Sequence, residues 1–384
     1  MHGTIDSLFR VEWRPLSGLD AVASDWRELA DSALEPNVFY EPSFALAAAP
    51  VFGRDAGAGL VWSRATPPRL VGFFPARIER RRYGIPLPVL AGWTHPYAPL
   101  GTPLVDREAS EAVIAAWLDH VAGDPELPDV VLLPCFPTEG ALAQAFDKII
   151  ARRGGGNACF APHRRALLAP AGDRAGYLDQ SIGHKKRKDL RRQRKRLDEC
   201  GRVTSSSTGE PAAVPSALAD FFALEAGGWK GRAGTAARGD ADVAAFMTSA
   251  VTALAGEGKV RIARLHVGTH PTAAIVTLRS GATAWCWKIA YDERYARYSP
   301  GVQILLDVTQ ALLDDPSVAR ADSCATADHP MIDHVWRERL ALADRLVSVG
   351  PARSFGFTLA CALETLRRAA VSGAKALRDL VKRR

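Results

Sequence analysis

Residues 291–303 read Tyr291-Asp292-Glu293-Arg294-Tyr295-Ala296-Arg297-Tyr298-Ser299-Pro300-Gly301-Val302-Gln303 and contain a strand end, a polar loop and a helix start. Ser299 suits the N-cap, and Pro300 suits the first helical position, where its missing N–H costs no hydrogen bond. Gly301 leaves room for a ligand to approach the backbone. Because helix N-termini attract phosphate, the stretch predicts a pyrophosphate cradle. A capped helix that binds nothing is the alternative.

Strand and helix patterns extend from this stretch in both directions. Before it we predict helices over Tyr177–Cys200, Ser216–Ala226 and Ala241–Ala255, a loop over Val203–Pro215, and strands over Val260–Val267, Ala273–Leu278 and Thr283–Tyr291. After it we predict a helix over Gly301–Leu313, a strand over Ala319–Ala325, a helix over Met331–Leu340 and a strand over Asp344–Val349. The first half alternates similarly. The pattern indicates an α/β (α+β) protein.

Three segments of the second half carry a family resemblance. They are Phe221…Leu224-Glu225…Trp229-Lys230-Gly231-Arg232-Ala233-Gly234-Thr235-Ala236, Trp287-Lys288-Ile289-Ala290-Tyr291-Asp292 and Tyr298-Ser299-Pro300-Gly301. Together they resemble the CelD/BcsL-type, cellulose-biosynthesis-associated branch of the GNAT acetyltransferases, which is related to the tandem-GNAT Fem-type aminoacyltransferases. The match is strong over 175–350 and weaker over 10–165, where Phe39-Tyr40-Glu41-Pro42 is similar in kind.

The resemblance implies two GNAT-like domains, each a mixed sheet flanked by helices, over 8–165 and 166–350, followed by a basic amphipathic helix over 351–384. It also implies transfer of an acyl group from acetyl-CoA or another acyl-CoA to an amine. Acyl-CoA would then bind at Ser299, Pro300, Gly301, Val302 and Gln303. The family usually has Gln or Arg three residues before the first glycine and Gly or Ala two residues after it. Tyr298 and Gln303 stand there instead, so aminoacyl-tRNA, the Fem-type donor, stays an alternative.

Acyl transfer to an amine needs a base for the amine proton and an acid for the leaving thiolate. Glu225 or Asp292 is the candidate base, and Tyr291, Tyr295 or Tyr298 is the candidate acid. The substrate-binding candidates are the cationic and aromatic residues near them: Trp229, Lys230, Arg232 and Lys288. A third hypothesis is a catalytically degenerate adaptor at the cell envelope.

The net charge of +7 is concentrated in two segments. Residues 185–196 hold nine cations and one acid, and residues 367–384 hold seven cations and one acid, so the rest of the chain is acidic. A solvated helix face is the usual meaning of such a run. RNA phosphate, an anionic saccharide acceptor and an acidic membrane surface are the functional alternatives for 185–196. Aromatic residues for base stacking are absent from that run, which disfavours RNA. Peripheral membrane contact is an alternative for the C-terminal helix.

The remaining motifs exclude several classes of protein. The loop over 229–235 lacks the Gly-Lys-Ser/Thr of a nucleotide-hydrolysing P-loop, and the chain has no Gly-x-Ser-x-Gly elbow. The spacing of the His and Cys residues predicts no metal site. The six cysteines lack Cys-x-x-Cys spacing and the first residues do not resemble a secretory signal, so we expect free thiols and a cytoplasmic protein. The expected acceptor is a small-molecule or saccharide amine.

Overall fold

The computed structural model describes residues 8–350 and 354–382. The strands are β1 Phe9–Pro15, β2 Ala56–Ser63, β3 Leu70–Glu79, β4 Val89–Gly92, β5 Leu104–Val105, β6 Val130–Pro137, β7 Asn157–Leu168, β8 Val203–Thr208, β9 Val260–Val267, β10 His270–Ser280, β11 Thr283–Tyr291, β12 Arg320–Asp322 and β13 Glu338–Ser348. The helices are α1 Ala23–Ser32, α2 Pro42–Phe52, α3 Ser110–Gly123, α4 Ala141–Arg153, α5 Tyr177–Ser181, α6 His184–Asp198, α7 Val214–Gly227, α8 Trp229–Arg232, α9 Ala241–Gly256, α10 Pro300–Asp314 and α11 Phe355–Lys382.

The chain divides into two compact units. The first comprises the described parts of Met1–Glu35, Gly53–Pro162 and Leu342–Arg384, and the second comprises Pro36–Phe52 and His163–Ala341. The second unit thus takes α2 from the N-terminal part of the chain. The predicted boundaries at 165/166 and 350/351 stay a prediction.

In the first unit, the strands follow the order β1-β2-β3-β4-β6-β13, and β5 pairs with β3. The pairs are antiparallel except β4–β6, which is parallel. Aromatic packing forms its core, where the Trp117 ring of α3 stacks on Phe74 of β3 with centroids 4.2 Å apart. On another part of this unit, Phe357 and Ala360 of α11 are buried with Leu132 and Leu346.

In the second unit, the strands follow the order β7-β12-β11-β10-β9-β8. The pairs are again antiparallel except one, the parallel pair β11–β12. A helix joins the two parallel strands in each unit: α3 lies between β4 and β6, and α10 between β11 and β12. The two units therefore repeat one topology, and the predicted fold class, mixed sheets flanked by helices in tandem, is confirmed.

Residue types explain why the second sheet is covered on both faces. On one face, Ile304, Leu305, Val308 and Leu312 follow helical spacing along α10 and are buried with Ile275 of β10. On the other face, aromatic residues of α2 and α9 cover β11: Phe44 lies 5.4 Å from Phe246 and 5.5 Å from Trp287. Asp240 caps α9 by accepting hydrogen bonds from the N–H groups of its first turn.

Three predicted elements of the second half are wrong. The helix predicted over Tyr177–Cys200 is two helices, because Ile182 and Gly183 adopt extended backbone between α5 and α6. The loop predicted over Val203–Pro215 contains β8, an exposed strand at the edge of the sheet. The helix predicted over Met331–Leu340 is a single turn at Ile332–His334, followed by β13.

The C-terminal helix is confirmed as α11 over Phe355–Lys382. Its buried Glu364 accepts hydrogen bonds from the guanidinium of Arg82 and the hydroxyl of Tyr83, within the first unit. The side chains of residues 374–382 lie outside those that the structure describes, so the predicted amphipathic character of this part of the helix stays a prediction. In the described residues, no helix is long and apolar enough to span a bilayer.

Candidate active site

The strand β11 leaves its parallel neighbour early. It pairs with β12 only over Thr283–Trp285, so Cys286–Tyr291 have no partner in β12. At the same point β11 contains one extra residue: Thr277 of β10 faces Cys286 and Val276 faces Lys288, which leaves Trp287 unpaired as a bulge. Bulges are common next to active sites because they redirect side chains.

The bulge changes the face to which the next side chain points. Cys286 belongs to the core under α10, whereas Trp287 packs against α2 and α9. Lys288 lies close to Glu225 and Lys230 of the α7–α8 region, on the same face as Trp287. Without the extra residue, strict alternation would place Lys288 on the α10 side. The bulge therefore brings a lysine to the carboxylate of α7.

Glu225 is a buried carboxylate on the apolar stripe of α7, one turn after Phe221 and Phe222. Its Oε1 accepts a 2.7 Å hydrogen bond from Nζ of Lys230, and its Oε2 accepts a 2.9 Å bond from the N–H of Ala237. Burial, and next the Lys230 cation, lower the pKa of Lys288 to about 8, while Glu225 opposes the shift. The carboxylate of Glu225 thus binds one lysine, Lys230, and lies close to a second, Lys288.

The loop after α7 is tied to the end of β11 through Glu293. Its Oε1 accepts a 2.7 Å bond from the N–H of Trp229 and its Oε2 a 2.6 Å bond from Arg232. The bond with Arg232 lowers the pKa of Glu293. Gly231 allows the tight turn of α8, since a Cβ there would lie 1.8 Å from the carbonyl oxygen of Ala226.

A small cleft lies between these groups. It is lined by Leu224, Glu225, Gly228, Trp229, Lys230, Ile289, Ala290, Tyr291 and Glu293. Its volume of about 40 Å³ is enough for about three ordered waters. The Trp229 side chain is 58% exposed. Four predicted residues, Glu225, Trp229, Lys230 and Tyr291, line one cleft, with Lys288 and Arg232 beside it.

Asp292 lies outside this cleft and is occupied by other groups. Its Oδ2 accepts bonds from Arg294 at 2.6 Å and from His270 at 2.9 Å. The bonds with Arg294, and next that with His270, lower the pKa of Asp292 to about 2. Glu225 is also hydrogen-bonded, but it lines the cleft and Asp292 does not, so the position of Glu225 favours it over Asp292 as the proton acceptor.

The start of α10 differs from the prediction in detail. Ser299 occupies the predicted N-cap position, but with φ 54° and ψ 51° its side chain makes no capping hydrogen bond. Pro300 does lie at the start of α10, as predicted. A Cβ on Gly301 would lie 3.1 Å from the Tyr291 ring and 3.2 Å from Sδ of Met331. The glycine therefore lets α10 pack closely on Tyr291, and its Cα does not face open solvent.

The other residues predicted near this helix start face α6. Gln303 is buried and donates a 2.9 Å hydrogen bond to the carbonyl oxygen of Leu190. Tyr298 is buried with its hydroxyl 3.4 Å from Sγ of Cys200, and this contact raises the pKa of Tyr298. The N–H groups of Val302 and Gln303 both donate to the carbonyl oxygen of Ser299. Tyr298 is therefore not brought to the cleft, whereas Tyr291 is.

Sequence reasoning missed the bulge and the role of Glu293. A one-residue insertion in a strand leaves no recognisable pattern in a single sequence, and Glu293 looked like an ordinary loop acid. Glu225 carried a stronger signal, because a charged residue stood on the apolar stripe of a predicted helix. Within the described residues, no group of three or more His, Cys, Asp or Glu side chains is placed to bind a metal ion.

The part of the chain that contains this cleft matches a known domain family. Residues 184–329 match the acetyltransferase (GNAT) domain family. The second unit has a GNAT acyltransferase fold. The match covers β8–β12 and α6–α10, and so includes the cleft.

Solved structures resemble this protein over most of its length. The crystal structure of FemX is 9% identical with a TM-score of 0.56, covering 85% of this chain and 95% of that chain. The C-terminal domain of a candidate lysylphosphatidylglycerol synthetase from Agrobacterium fabrum is 12% identical with a TM-score of 0.54, covering 91% and 95%. At these identities the likeness is one of fold. No curated protein matches the sequence.

Proposed function

We propose that the second unit is an acyl-CoA-dependent N-acyltransferase, with acetyl-CoA as the first candidate donor. The observation that carries the proposal is the cleft where β11 leaves β12, because it places a buried carboxylate, two lysines and a tyrosine around one small volume. The GNAT match over 184–329 supports this class of reaction.

The residues of the cleft can perform each proton transfer. The acceptor amine attacks the thioester carbonyl carbon, and Glu225 takes the amine proton directly or through a water in the cleft. N–H groups of the unpaired part of β11 can stabilise the developing oxyanion. The C–S bond then breaks, and Tyr291 donates a proton to the leaving thiolate. The products are an amide and free CoA.

The start of α10 partly fits the phosphates of the donor. Its first turn contains no acidic residue, and Arg297, whose guanidinium lies over the Tyr298 ring at 4.7 Å, precedes it. The positive end of the helix dipole, with the Arg297 cation beside it, favours an anion. Because Gly301 contacts Tyr291 and Met331, we place the phosphates at the residues 297–300 side of this helix start.

The charges of the cleft also restrict the acceptor. The three cations of the cleft and its edge (Lys230, Lys288 and Arg232) outnumber the two carboxylates (Glu225 and Glu293) by one. This excess favours an amine that carries an anionic group nearby. The exposed indole of Trp229 offers a flat apolar surface at the entrance, which suits a saccharide ring. We therefore propose an amino-sugar-like acceptor in polysaccharide or cell-envelope metabolism, the setting implied by the CelD/BcsL resemblance.

Calorimetric titration of the full chain with acetyl-CoA tests the donor. We expect one molecule bound per chain, and release of CoA thiol when an amino sugar such as glucosamine 6-phosphate is added. Absence of binding at millimolar acetyl-CoA would overturn the proposal. Transfer from aminoacyl-tRNA in place of acetyl-CoA would instead establish the Fem-type alternative.

A further inference from the structure

The helix α6 carries a row of cations that the proposed acyl transfer does not use. Lys185, Lys188, Arg191, Lys195 and Arg196 are exposed. In the described residues none of them has an ion pair or a side-chain hydrogen bond. The other arginines of the helix are engaged: Arg187 with Asp179, Arg192 with Asp189 and Arg194 with Asp307. We call Lys185, Lys188, Arg191, Lys195 and Arg196 the basic row.

The spacing of the basic row places it on one face. Its members follow one another at intervals of three, three, four and one residues, so they lie within about 140° of the helix circumference at 100° per residue. Leu190 and Leu197, which anchor α6 in the core, lie on the opposite face. The cations are therefore held by a packed helix and all point away from the protein.

An apolar groove adjoins the basic row. Its floor contains Leu178, Ile182, Leu190 and Leu306, and Arg187, Arg191 and Arg194 line its side. The groove has a volume of about 310 Å³. Arg191 belongs to both features, so positive charge and an apolar recess are continuous.

We propose that this face of α6 docks on an anionic lipid surface. Surface helices of this kind bind membranes through cations that meet acidic headgroups and apolar groups that enter the acyl boundary. A row that bound RNA would use the cations alone or with stacking aromatic side chains, which this helix lacks. The apolar groove beside Arg191 therefore favours lipid over RNA, and its occupant would be part of an acyl chain.

Vesicle flotation with the full chain tests this proposal. We expect binding to vesicles of phosphatidylcholine with 30% phosphatidylglycerol, weak binding to pure phosphatidylcholine, and a loss of binding as salt is raised. The triple variant Lys185→Glu, Lys188→Glu, Lys195→Glu should lower the partition coefficient at least about 100-fold, since each cation near such a surface contributes about fivefold.

The matched control makes the same change in net charge elsewhere. Arg64→Glu, Arg80→Glu, Arg238→Glu replaces three exposed arginines outside α6 and should bind anionic vesicles within about threefold of the parent, apart from long-range screening effects. Equal losses in both triple variants would overturn the docking surface and leave only a net-charge effect. If the glutamate variant misfolds by circular dichroism, the same three lysines changed to Gln provide the measurement.

The double variant Leu178→Ser, Leu306→Ser tests the groove separately from the basic row. This variant should bind anionic vesicles about five- to tenfold more weakly at unchanged charge. A tRNA gel shift completes the test: binding of tRNA through the basic row, without binding to anionic vesicles, would overturn the proposal in favour of RNA. Absence of binding to either would also overturn it.

Discussion

The two units share a topology but differ at the strand that precedes the helix joining the parallel pair, which is β4 in the first unit and β11 in the second. In the first unit β4 has four residues and pairs with β3 without a shift of register. In the second unit β11 has nine residues, contains a bulge and extends six residues beyond its last pair with β12. The shared topology therefore does not by itself form the cleft, which depends on the longer, bulged strand of the second unit.

The first turn of the helix that follows this strand also differs between the two units. In the first unit Glu111 lies in the first turn of α3, where it accepts hydrogen bonds from Lys148 and Arg152. An acid at a helix N-terminus occupies the position that a phosphate would need. In the second unit the first turn of α10 has no acid. We therefore expect one donor site per chain, in the second unit.

The largest expected effect comes from Glu225→Gln. It removes the proposed proton acceptor, so kcat should fall about 10²–10⁴-fold with acetyl-CoA affinity retained. The measurement is CoA thiol release at saturating substrates. Glu111→Gln in the first unit is the control and should leave kcat unchanged. Comparable losses in both variants would contradict an active site confined to the second unit.

Gly231→Ala should have the next largest effect. The added methyl group would meet the carbonyl oxygen of Ala226, so the turn must shift, at a cost of about 1–3 kcal/mol. Urea unfolding measures the loss, and KM for the amine should rise with it. A Cβ on Gly227 meets nothing within 4 Å, so Gly227→Ala should be neutral or stabilise by up to about 1 kcal/mol. A stable Gly231→Ala protein would show that the turn adapts freely.

Lys288→Met should remove a pH dependence of stability. The pKa of Lys288 is about 8 in the folded chain and about 10.4 when unfolded. Between these values the unfolded chain binds the extra proton, so the parent should gain stability as pH rises from about 8 to 10.4. In Lys288→Met this gain should disappear. The check is unfolding by urea at pH 7.5, 9 and 10.5, with Lys148→Met of the first unit as control. If the free energy of unfolding of Lys288→Met depended on pH as that of the parent does, Lys288 would be exposed to solvent in the folded chain.

Asp292→Asn should have the smallest effect. Since Arg294 and His270 already occupy its carboxylate, we expect kcat to fall less than about fivefold. Stability should change by no more than about 1 kcal/mol, because an amide oxygen can still accept the bond from the N–H of Arg294. Thiol release and urea unfolding measure both quantities. A loss of kcat as large as that of Glu225→Gln would identify Asp292 as the base instead.

The sequence allowed prediction of the sheet next to the cleft because its signals are local. Gly and Pro mark the turns between β9, β10 and β11, and Pro300 marks the start of α10. At the wrong elements the local signals were absent or were opposed by the residues around them. The strand β8, Val-Thr-Ser-Ser-Ser-Thr, is an exposed edge without apolar alternation, and the break at Gly183 is flanked by strongly helical patterns on both sides.

The sequence predicted only part of the cleft, because the rest depends on contacts between residues that are distant along the chain. Glu225, Trp229, Lys230 and Lys288 were identified from their segments, but their meeting depends on long-range geometry: the bulge at Trp287 and the bonds of Glu293 to the loop. Likewise Ser299 has a side chain that suits a cap, yet its left-handed backbone turns the hydroxyl away from that role. Residue type predicts what a side chain can do, and packing decides whether it does so.

The contribution of α2 to the second unit has a consequence for synthesis. Phe44 leaves the ribosome roughly 200 residues before its partner Phe246, a delay of about 10–40 s at ordinary rates of translation. During that time the apolar face of α2 lacks its final cover, and chaperones could bind it. A fragment limited to residues 163–341 would lack α2 altogether and expose Phe246 and Trp287. A fragment made to study the second unit must therefore include Pro36–Phe52.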